Sequence, residues 1–451
     1  MTRGRTGCPA TGALRIANSV RWKAVGMSRH NVGIAGFGVV GGGVAAMLEK
    51  NRAEIRRRTD ADIVVTAVAE IDPKKAAEIR LSEGRVVPDA RDLLKDNCVQ
   101  TVVEVIGGTT YAKEFVLAAI AAGKNVVTAN KALLAAHWNE ITSAARAKGV
   151  TLGFEASTAG GIPVVRTLRE AYIGDNVRRI IGILNGTSNY VLSRMTLEGL
   201  TFAAALSSAQ SKGYAEADPA LDISGADSAH KIVILARLAF GEDFRIEDVH
   251  YEGISGVEQL DIRYARELGY RIKLLGVAKR RDDSVELRVH PCLVREAHPI
   301  AHVDGAFNSV FIEGEFVGDT MLYGQGAGRW PTASSVVADL IDVATGRAQT
   351  SSIKPGEGRL KIRPMQEIDA RYYMRFQALD KPGVLAKISG VLGANNISIA
   401  SAIQHERRSG QSVPVVILTY PAREGAVQQA LSEIGSLDAI TGKCVLLREE
   451  E

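Results

Sequence analysis

Residues 31–48 read NVGIAGFGVVGGGVAAML, which is a short apolar segment, a glycine-rich turn and a second apolar segment. Gly36, Gly38 and Gly41 fit the pattern G-x-G-x-x-G, in which missing side chains let the backbone approach a pyrophosphate at a helix N-terminus. A lone match also occurs in purely structural turns. Here a second apolar strand follows at residues 62–69, which favours a dinucleotide site. Its predicted contacts are Gly36, Phe37, Gly38, Val39, Val40 and Gly41.

The next stretch alternates apolar strands with helical segments. A strand over residues 101–106 ends in glycines, a helix covers 111–122, and a strand over 125–128 leads into Ala-Asn-Lys131. Such alternation predicts a parallel sheet that binds ligands at the carboxyl ends of its strands. Thr109 and Lys131 are therefore expected at the mouth of the cofactor crevice. A lysine after a strand is often only a solvated surface residue, so the pattern leaves its role open.

The residue at the end of the second strand bears on cofactor preference. Glu70 or Asp72 occupies this position, later than the usual spacing of about 20 residues because residues 51–61 lengthen the connection. An acid there favours a free ribose hydroxyl and hence NADH. Lys74 and Lys75 lie just beyond and could hold the 2′-phosphate of NADPH. Both cofactors therefore stay open.

A second informative stretch, residues 213–235, reads GYAEADPALDISGADSAHKIVIL. Asp227 and Lys231 are four residues apart on a predicted helix and point the same way. One interpretation is an ordinary surface pair, which contributes a few tenths of a kcal/mol. The other is a buried functional pair. It is favoured by the small residues before Lys231 and the apolar run after it, since a buried charge pair is costly without a task.

The same stretch resembles a known family. GYAEADP at residues 213–219, Asp222, the spacing Gly-x-Asp227-x-x-x-Lys231 and GILNGTSNY at residues 182–190 together resemble the homoserine dehydrogenase signature. The resemblance extends from about residue 31 to the C-terminus. It implies reversible NAD(P)-dependent reduction of L-aspartate 4-semialdehyde to L-homoserine, in threonine, methionine and isoleucine biosynthesis.

The resemblance also implies roles for individual residues. Lys231 is expected to be the acid/base, and Asp227 to orient the substrate and tune the lysine. Glu216 is expected to hold the substrate ammonium, and Lys131 to be an auxiliary cation beside the nicotinamide and the reacting oxygen. Gly328, in a glycine turn before a helix, is expected to contact the cofactor.

Residues 151–163 read TLGFEASTAGGIP, a strand that enters a glycine turn. From the residues alone this is a tight turn, or a loop whose carbonyls ligate a hard cation. The resemblance implies a structural monovalent cation, Na⁺ or K⁺, bound through Glu155, Thr158, Gly160 and Ile162. Thr158 replaces the usual valine, a change that matters little if carbonyl oxygens are the ligands.

The sequence as a whole predicts an α/β protein of several domains. The predicted segments are a disordered basic extension (1–29), a Rossmann-type NAD(P)-binding domain (30–155), an α+β substrate-binding and dimerisation domain (156–323), a helix that returns to the nucleotide domain (324–348), a linker (349–369) and a β-α-β-β-α-β ferredoxin-like domain (370–451). The last segment resembles an ACT domain, which binds amino acids. An inert dimerisation module is the alternative. A transit peptide is the alternative for the basic extension.

Composition excludes several classes of protein. The 451 residues are 46% hydrophobic and 24% charged with a net charge of +4, which is typical of a soluble globular chain and not of a nucleic-acid binder. Four cysteines without paired spacing fit a reducing cytosol. No apolar run reaches the ~18 residues of a membrane helix. We expect a cytoplasmic protein.

The chain is expected to bind other copies of itself and a small-molecule effector. We expect a homodimer or homotetramer and an amino-acid effector, with threonine suggested by the resemblance. The competing function is a non-catalytic amino-acid sensor on a former dehydrogenase scaffold. Another dehydrogenase acting on a small amino-acid aldehyde is the second alternative.

Overall fold

The structure, a computed structural model, describes residues 28–347, 358–405 and 411–450. The predicted basic extension, apart from its last two residues, lies outside the described residues, as does the first part of the predicted linker. Within the described part, no helix is both long and apolar enough to cross a membrane.

The N-terminal sheet has six parallel strands in the order β3-β2-β1-β4-β5-β6. Its elements are β1 (Ser28–Ala35), α1 (Val39–Thr59), β2 (Ala61–Ala69), α2 (Pro73–Glu78), β3 (Arg85–Val87), α3 (Arg91–Lys95), β4 (Thr101–Glu104), α4 (Thr110–Ala121), β5 (Asn125–Thr128), α5 (Lys131–Lys148) and β6 (Leu152–Gly153). This is the strand order of a dinucleotide-binding Rossmann fold, in which the order reverses at β1, so that β2 and β4 lie on its two sides. The predicted Rossmann-type fold is confirmed.

The middle of the chain contributes helices and strands, all antiparallel to their neighbours in this segment except β8, which pairs in parallel with β10. They are α6 (Val164–Arg166), β7 (Val177–Ile183), α7 (Gly186–Glu198), α8 (Phe202–Ser211), α9 (Ala220–Ile223), α10 (Ala226–Phe240), β8 (His250–Tyr251), α11 (Gln259–Glu267), β9 (Tyr270–Arg281), β10 (Ser284–Arg295), β11 (Phe307–Gly314) and β12 (Gly318–Gln325). Helix α10 is apolar around most of its circumference and packs among α5, β7, β9 and β10. It is therefore a central helix of the molecule.

The predicted return helix is α12 (Arg329–Ala344), which packs on α1. A Cβ on Gly43 would lie 2.9 Å from Cγ of Arg329 and 3.2 Å from Cβ of Ala333, so glycine permits this close approach. The helix starts at Arg329, directly after the glycine turn that ends at Gly328. Pro331 is tolerated there because a first-turn residue has no intrahelical acceptor for its N–H.

The C-terminal elements are β13 (Lys361–Ile362), β14 (Asp369–Ala370), β15 (Tyr372–Leu379), α13 (Val384–Ala394), β16 (Ile399–Ile403), β17 (Ser412–Thr419), β18 (Ala422–Arg423), α14 (Glu424–Gly435) and β19 (Val445–Glu450). The sheet order β19-β15-β17-β16 is that of a β-α-β-β-α-β ferredoxin-like fold. The predicted fold is confirmed. Strand β16 begins at Ile399, after Asn396, whose left-handed φ of 58° interrupts extended backbone.

The C-terminal sheet continues into the middle sheet. Strand β19 pairs in parallel with β10, with Cys292 opposite Arg448, so the order runs β12-β11-β7-β9-β10-β19-β15-β17-β16. The second half of the predicted linker is also structured, since β13 pairs with β10 and β14 pairs with β18. The ferredoxin-like unit is thus joined to its neighbour by backbone hydrogen bonds.

Buried ion pairs reinforce this junction. Asp261, fully buried on α11, accepts hydrogen bonds from Nε and Nη2 of Arg375 at 2.6 and 3.0 Å and from the Tyr373 hydroxyl at 2.9 Å. Arg288 on β10 similarly donates to Glu450 on β19 at 2.7 Å. These contacts hold the two units in one orientation.

We predict that Arg375→Ala lowers the free energy of unfolding by about 3–5 kcal/mol, because it leaves the buried Asp261 carboxylate without its cation. Urea unfolding of the full chain measures the change. The control is Arg58→Ala, which removes an exposed i,i+4 partner of Glu54 and should change little. A loss for Arg375→Ala no larger than the control's would contradict the prediction.

Candidate active site

Three charged side chains meet where α10 faces the Rossmann domain. Lys231 Nζ donates to Asp227 Oδ2 at 2.7 Å and to the Leu184 carbonyl at 2.6 Å. Lys131 Nζ lies 3.0 Å from the other carboxylate oxygen, Oδ1 of Asp227. We call these three residues the charge triplet. The structure therefore brings together all three residues that the sequence predicted to be catalytic.

Burial distinguishes the two lysines. The side chains of Lys231 and Asp227 are 10% and 8% exposed, whereas that of Lys131 is 39% exposed. Of the two interpretations of the Asp227–Lys231 spacing, the ordinary surface pair is thus excluded. Such a pair is tolerated inside a protein only when its hydrogen bonds are well satisfied. Asp227 meets three donors, and Lys231 places two of its three N–H groups on acceptors.

The triplet shifts the ionisation of its members. Burial lowers the pKa of the Lys231 ammonium, and the nearby Lys131 charge adds to this lowering against the opposing effect of Asp227. Burial alone would raise the pKa of Asp227, but the two ammonium groups and a hydrogen bond from Asn185 hold it below its usual value. The site thus contains a permanent carboxylate beside a lysine that loses its proton more readily than usual.

Local backbone places the triplet. Gly225 caps α10 with a left-handed φ of 88°, so Asp227 falls in the first turn, where a carboxylate interacts favourably with the helix dipole. Lys131 is the first residue of α5, a position where a positive charge interacts unfavourably with the helix dipole. The Asn130 amide donates to the Gly108 carbonyl at 2.7 Å and ties this turn to the glycines that follow β4.

Asn185 is a site residue that the sequence predictions omitted. Its Nδ2 donates to Asp227 Oδ2 and to Asp222 Oδ1, both at 2.8 Å, and its Oδ1 caps α7 by accepting from the Ser188 N–H. Asn185 thus links Asp222 to the charge triplet. The signal was present, because the motif at residues 182–190 contains Asn185, but spacing alone could not show which atom it contacts.

Glu216 lies on the loop between α8 and α9. This loop contacts α7 through the Tyr214 carbonyl, which accepts from the Thr187 hydroxyl at 2.6 Å. The Glu216 side chain is exposed and makes no hydrogen bond within the described residues. The structure therefore places the loop beside the site, while the carboxylate itself is not joined to the triplet.

The glycine turn has the geometry of a phosphate-binding loop. Gly36 adopts a left-handed φ of 97°, and a Cβ on Gly41 would collide with the Gly36 carbonyl. A Cβ on Gly38 would meet no atom within 4 Å, so the space beside the N-terminus of α1 is open. These residues fit a dinucleotide, whose pyrophosphate binds at such a helix N-terminus.

The other predicted cofactor contacts surround this turn. Val39 is 68% exposed, whereas Phe37 and Val40 pack partly on the core. Glu70 follows β2, and its carboxylate accepts from the Asp72 N–H at 3.0 Å. The remaining two stand at helix starts beside the crevice, with Thr109 capping α4 and Gly328 capping α12.

The predicted cation loop is buried and densely hydrogen-bonded. The Glu155 carboxylate accepts from the N–H groups of Val165 and Arg166, and the carbonyls of Gly160 and Ile162 accept from the Ser335 hydroxyl and the Val164 N–H. Burial raises the pKa of Glu155 to about 7. The buried Thr158 hydroxyl has no hydrogen-bond partner in the described part of the chain. The described residues include no cluster of three or more His, Cys, Asp or Glu side chains around one point. A monovalent cation at this loop stays a prediction.

Comparison with known proteins agrees with this geometry. A family model described as the NAD binding domain of homoserine dehydrogenase matches residues 36–155, one described as homoserine dehydrogenase matches residues 163–341, and an ACT domain model matches residues 372–439. A homoserine dehydrogenase of Neisseria gonorrhoeae is 44% identical over 94% of this chain and 99% of that protein.

Solved structures give the same result. The crystal structure of a homoserine dehydrogenase from Thiobacillus denitrificans superposes with a TM-score of 0.88 at 43% identity, over 94% of this chain and 99% of that one. A hyperthermophilic archaeal homoserine dehydrogenase in complex with NADPH matches with a TM-score of 0.60 at 25% identity, over 72% of this chain and 100% of that one.

The predicted resemblance is therefore confirmed over nearly the whole chain. The chain belongs to the homoserine dehydrogenase family of NAD(P)-dependent oxidoreductases and carries a C-terminal ACT domain.

Proposed function

We propose that the protein interconverts L-homoserine and L-aspartate 4-semialdehyde in the biosynthesis of threonine, methionine and isoleucine. The observation that carries the proposal is the buried charge triplet of Lys231, Asp227 and Lys131 at the junction with the nucleotide domain. A nicotinamide dinucleotide, when bound, supplies the hydride chemistry. The glycine turn of residues 36–41, Thr109 and Gly328 would hold it.

Lys231 handles the hydroxyl proton in this proposal. A neutral amine has two N–H groups and one lone pair. The two N–H groups stay on the Leu184 carbonyl and Asp227 Oδ2, and the lone pair is left to accept the proton of the substrate hydroxyl. In the reverse direction the third N–H of the ammonium returns the proton to the reacting oxygen.

Asp227 and Lys131 set the electrostatics of this transfer. Asp227 balances one ammonium, so the triplet carries a net charge of +1 when both lysines are protonated. A positive site with little solvent stabilises the negative charge that develops on the reacting oxygen. Lys131 is the more exposed cation and can turn toward the substrate without leaving an unpaired buried charge.

The substrate ammonium is assigned to the acidic loop beside α7. Glu216 has an exposed carboxylate without a partner among the described residues, and this free group suits a ligand ammonium. Asp222, held by Asn185 at 2.8 Å, is a second carboxylate on the same side. The two acids and the triplet would then fix the ends of a small amino-acid substrate.

Both nicotinamide cofactors are retained in the proposal. Glu70 at the end of β2 suits the ribose hydroxyl of NADH. Lys74 and Lys75 are exposed in the first turn of α2 and suit the 2′-phosphate of NADPH, the cofactor bound to the archaeal relative.

We also propose that threonine regulates the enzyme through the ACT domain. A homodimer or homotetramer stays a prediction.

The direct test is absorbance at 340 nm with L-homoserine and NAD or NADP. We predict that the wild type reduces NAD or NADP only when homoserine is present. In Lys231→Ala, turnover should fall ~10²-fold or more, because proton transfer then lacks its base. Lys231→Arg should lose as much, since a guanidinium keeps the charge but does not deprotonate. The control Lys50→Ala changes an exposed lysine of α1. Full turnover in either Lys231 variant would refute the role.

The pH profile gives a second prediction with a definite sign. Homoserine oxidation needs neutral Lys231, so kcat rises with pH through its lowered pKa, below the ordinary 10.5. Lys131→Met removes a charge that lowers this pKa, and the rising limb should move to higher pH. Asp227→Asn removes the charge that raises it, and the limb should move to lower pH. Shifts in the opposite directions would contradict this assignment.

Cofactor choice gives the third prediction. Glu70→Ala should raise KM for NAD about tenfold while KM for NADP changes less, because only the free ribose hydroxyl pairs with the carboxylate. Asp72→Ala is the matched control, since the Asp72 carboxylate caps α2 through the Lys74 N–H. An equal rise in KM for both cofactors in Glu70→Ala would contradict the assignment of Glu70 to the ribose hydroxyl of NAD.

A further inference from the structure

Helix α5, whose first residue is Lys131, consists of two helical segments joined at His137. The backbone at His137 has a φ of −127° and a ψ of 27°, which are not helical angles. The usual causes of such a break include a proline and a side chain that enters the ladder of backbone hydrogen bonds. Residues 131–148 contain no proline, and the side chain that reaches the carbonyls of α5 at this point is Arg237. The break thus coincides with a contact from the neighbouring helix α10.

The Arg237 guanidinium donates to three backbone carbonyls. Its Nη1 donates to the Leu134 carbonyl at 2.8 Å and its Nη2 to the Ala135 carbonyl at 2.9 Å. Its Nε donates to the Phe244 carbonyl at 2.8 Å. The two α5 carbonyls lie in the last turn of the first segment, where a helix leaves carbonyls without intrahelical donors and where a cation interacts favourably with the helix dipole. Arg237 therefore caps the segment that begins at Lys131.

Burial makes these contacts costly to lose. The Arg237 side chain is 3% exposed, and its guanidinium lies over the Trp138 ring of α5, 5.4 Å from the ring centroid. Asp243 supplies a carboxylate, with Oδ1 3.7 Å from Arg237 Nε, and it also accepts a hydrogen bond from Asn139 in the second segment of α5. A buried charged donor that loses its acceptor is unfavourable, so the planar guanidinium holds its partners in one geometry.

Helices α5 and α10 are joined at two points. At one point Lys131 Nζ lies 3.0 Å from Asp227 Oδ1, and at the other Arg237 holds the carbonyls three and four residues after Lys131. The Lys131 side chain is 39% exposed, so packing around the side chain does little to fix its position. The place of its ammonium therefore depends on where the first segment of α5 is held.

We propose that Arg237 is a positioning residue of the proposed reaction, whose guanidinium fixes the first segment of α5 against α10 and thereby holds the Lys131 ammonium at the Asp227 carboxylate. The proposal rests on the roles given above to Lys131 and Lys231. Without the guanidinium, the carbonyls at the end of the segment lose their donors, the segment moves, and the exposed Lys131 withdraws toward solvent.

The ionisation of Lys231 reports the position of Lys131. The charged groups that face Lys231 are Asp227, Lys131 and Asp222, and the neighbouring titratable group on α10 is His230. Of these groups, only Lys131 belongs to α5. Its charge lowers the pKa of Lys231, so its withdrawal should raise that pKa. A loss of stability elsewhere in the protein should leave the pKa of Lys231 unchanged.

The test compares Arg237→Met with Arg237→Lys. Methionine keeps an unbranched apolar chain against Trp138 but removes every donor, whereas lysine keeps the charge as a compact ammonium without the planar fork. In Arg237→Met, the rising limb of the kcat profile should move to higher pH by at least half of the displacement in Lys131→Met. Arg237→Lys should show a smaller displacement in the same direction. The control is Arg375→Ala, which removes another buried arginine, at the junction with the ACT domain, and should leave the limb at the wild-type pH.

A double variant separates positioning from general loosening. Lys131→Met combined with Arg237→Met should have its limb at the same pH as Lys131→Met alone, because Arg237 acts through Lys131. A limb at the wild-type pH in Arg237→Met, or a double variant displaced by the sum of the two single displacements, would overturn the proposal. If Arg237→Met does not fold, the limb of Arg237→Lys decides by the same criterion.

NMR titration of lysine Cε in the protein without cofactor gives a readout that needs no turnover. The midpoint of Lys231 should rise in Arg237→Met and stay at the wild-type value in Arg375→Ala. An unchanged midpoint in Arg237→Met would contradict the proposal. Failure of the wild type to oxidise homoserine would instead contradict the proposed function, and this titration would still decide whether Arg237 holds Lys131 in place.

Discussion

The structure depends on one buried electrostatic constraint, the Asp227 carboxylate held between two ammonium groups. Removing any of the three charges from solvent is unfavourable unless its hydrogen bonds are replaced. Leu184, Asn185 and the first turn of α10 supply those replacements. Two lysines from different domains are thus brought to the same anion, and one of them, Lys231, is left with a lowered pKa because it is buried beside a like charge.

Helix α10 is the element through which this constraint reaches the rest of the molecule. It packs on α5, whose first residue is Lys131, and on β7, whose end leads to Leu184 and Asn185. Its N-terminal cap is contacted by the loop that carries Glu252, an ion-pair partner of the ACT domain. The Rossmann domain and the segment around Asn185 thus contact α10 directly, and the ACT domain is joined to it through the loop that carries Glu252. A shift in any of them can change the geometry of the acid/base pair.

Local patterns in the sequence predicted most of the individual elements. The glycine spacing at residues 36–41 and the alternation that follows it correspond to the Rossmann sheet, and the four-residue spacing of Asp227 and Lys231 corresponds to their ion pair. These features depend on residues close together in the chain. Lys131 was placed near the site by family resemblance, since no local pattern brings it to Asp227, 96 positions later.

Contacts between distant segments were not predictable in the same way. Asn185 caps α7 and also bridges the Asp222 and Asp227 carboxylates. Its position before a helix indicates only the capping role, because both carboxylates lie more than 30 residues further along the chain. The parallel pairing of β10 with β19 unites two sheets that looked independent, because either strand could equally have been an edge. The loop that carries Glu252 likewise meets the cap of α10 and Arg448 of β19 only in the folded chain. Tertiary packing decides each of these features.

The most direct test of the role of Lys231 is its own titration, followed by NMR of protein labelled with ¹³C at lysine Cε, with the resonance assigned by its loss in Lys231→Arg. A midpoint below the ordinary 10.5, moving upward in Lys131→Met, is the predicted result. A midpoint at or above 10.5 would mean that Lys231 stays protonated where the enzyme works, and would contradict its assignment as the base.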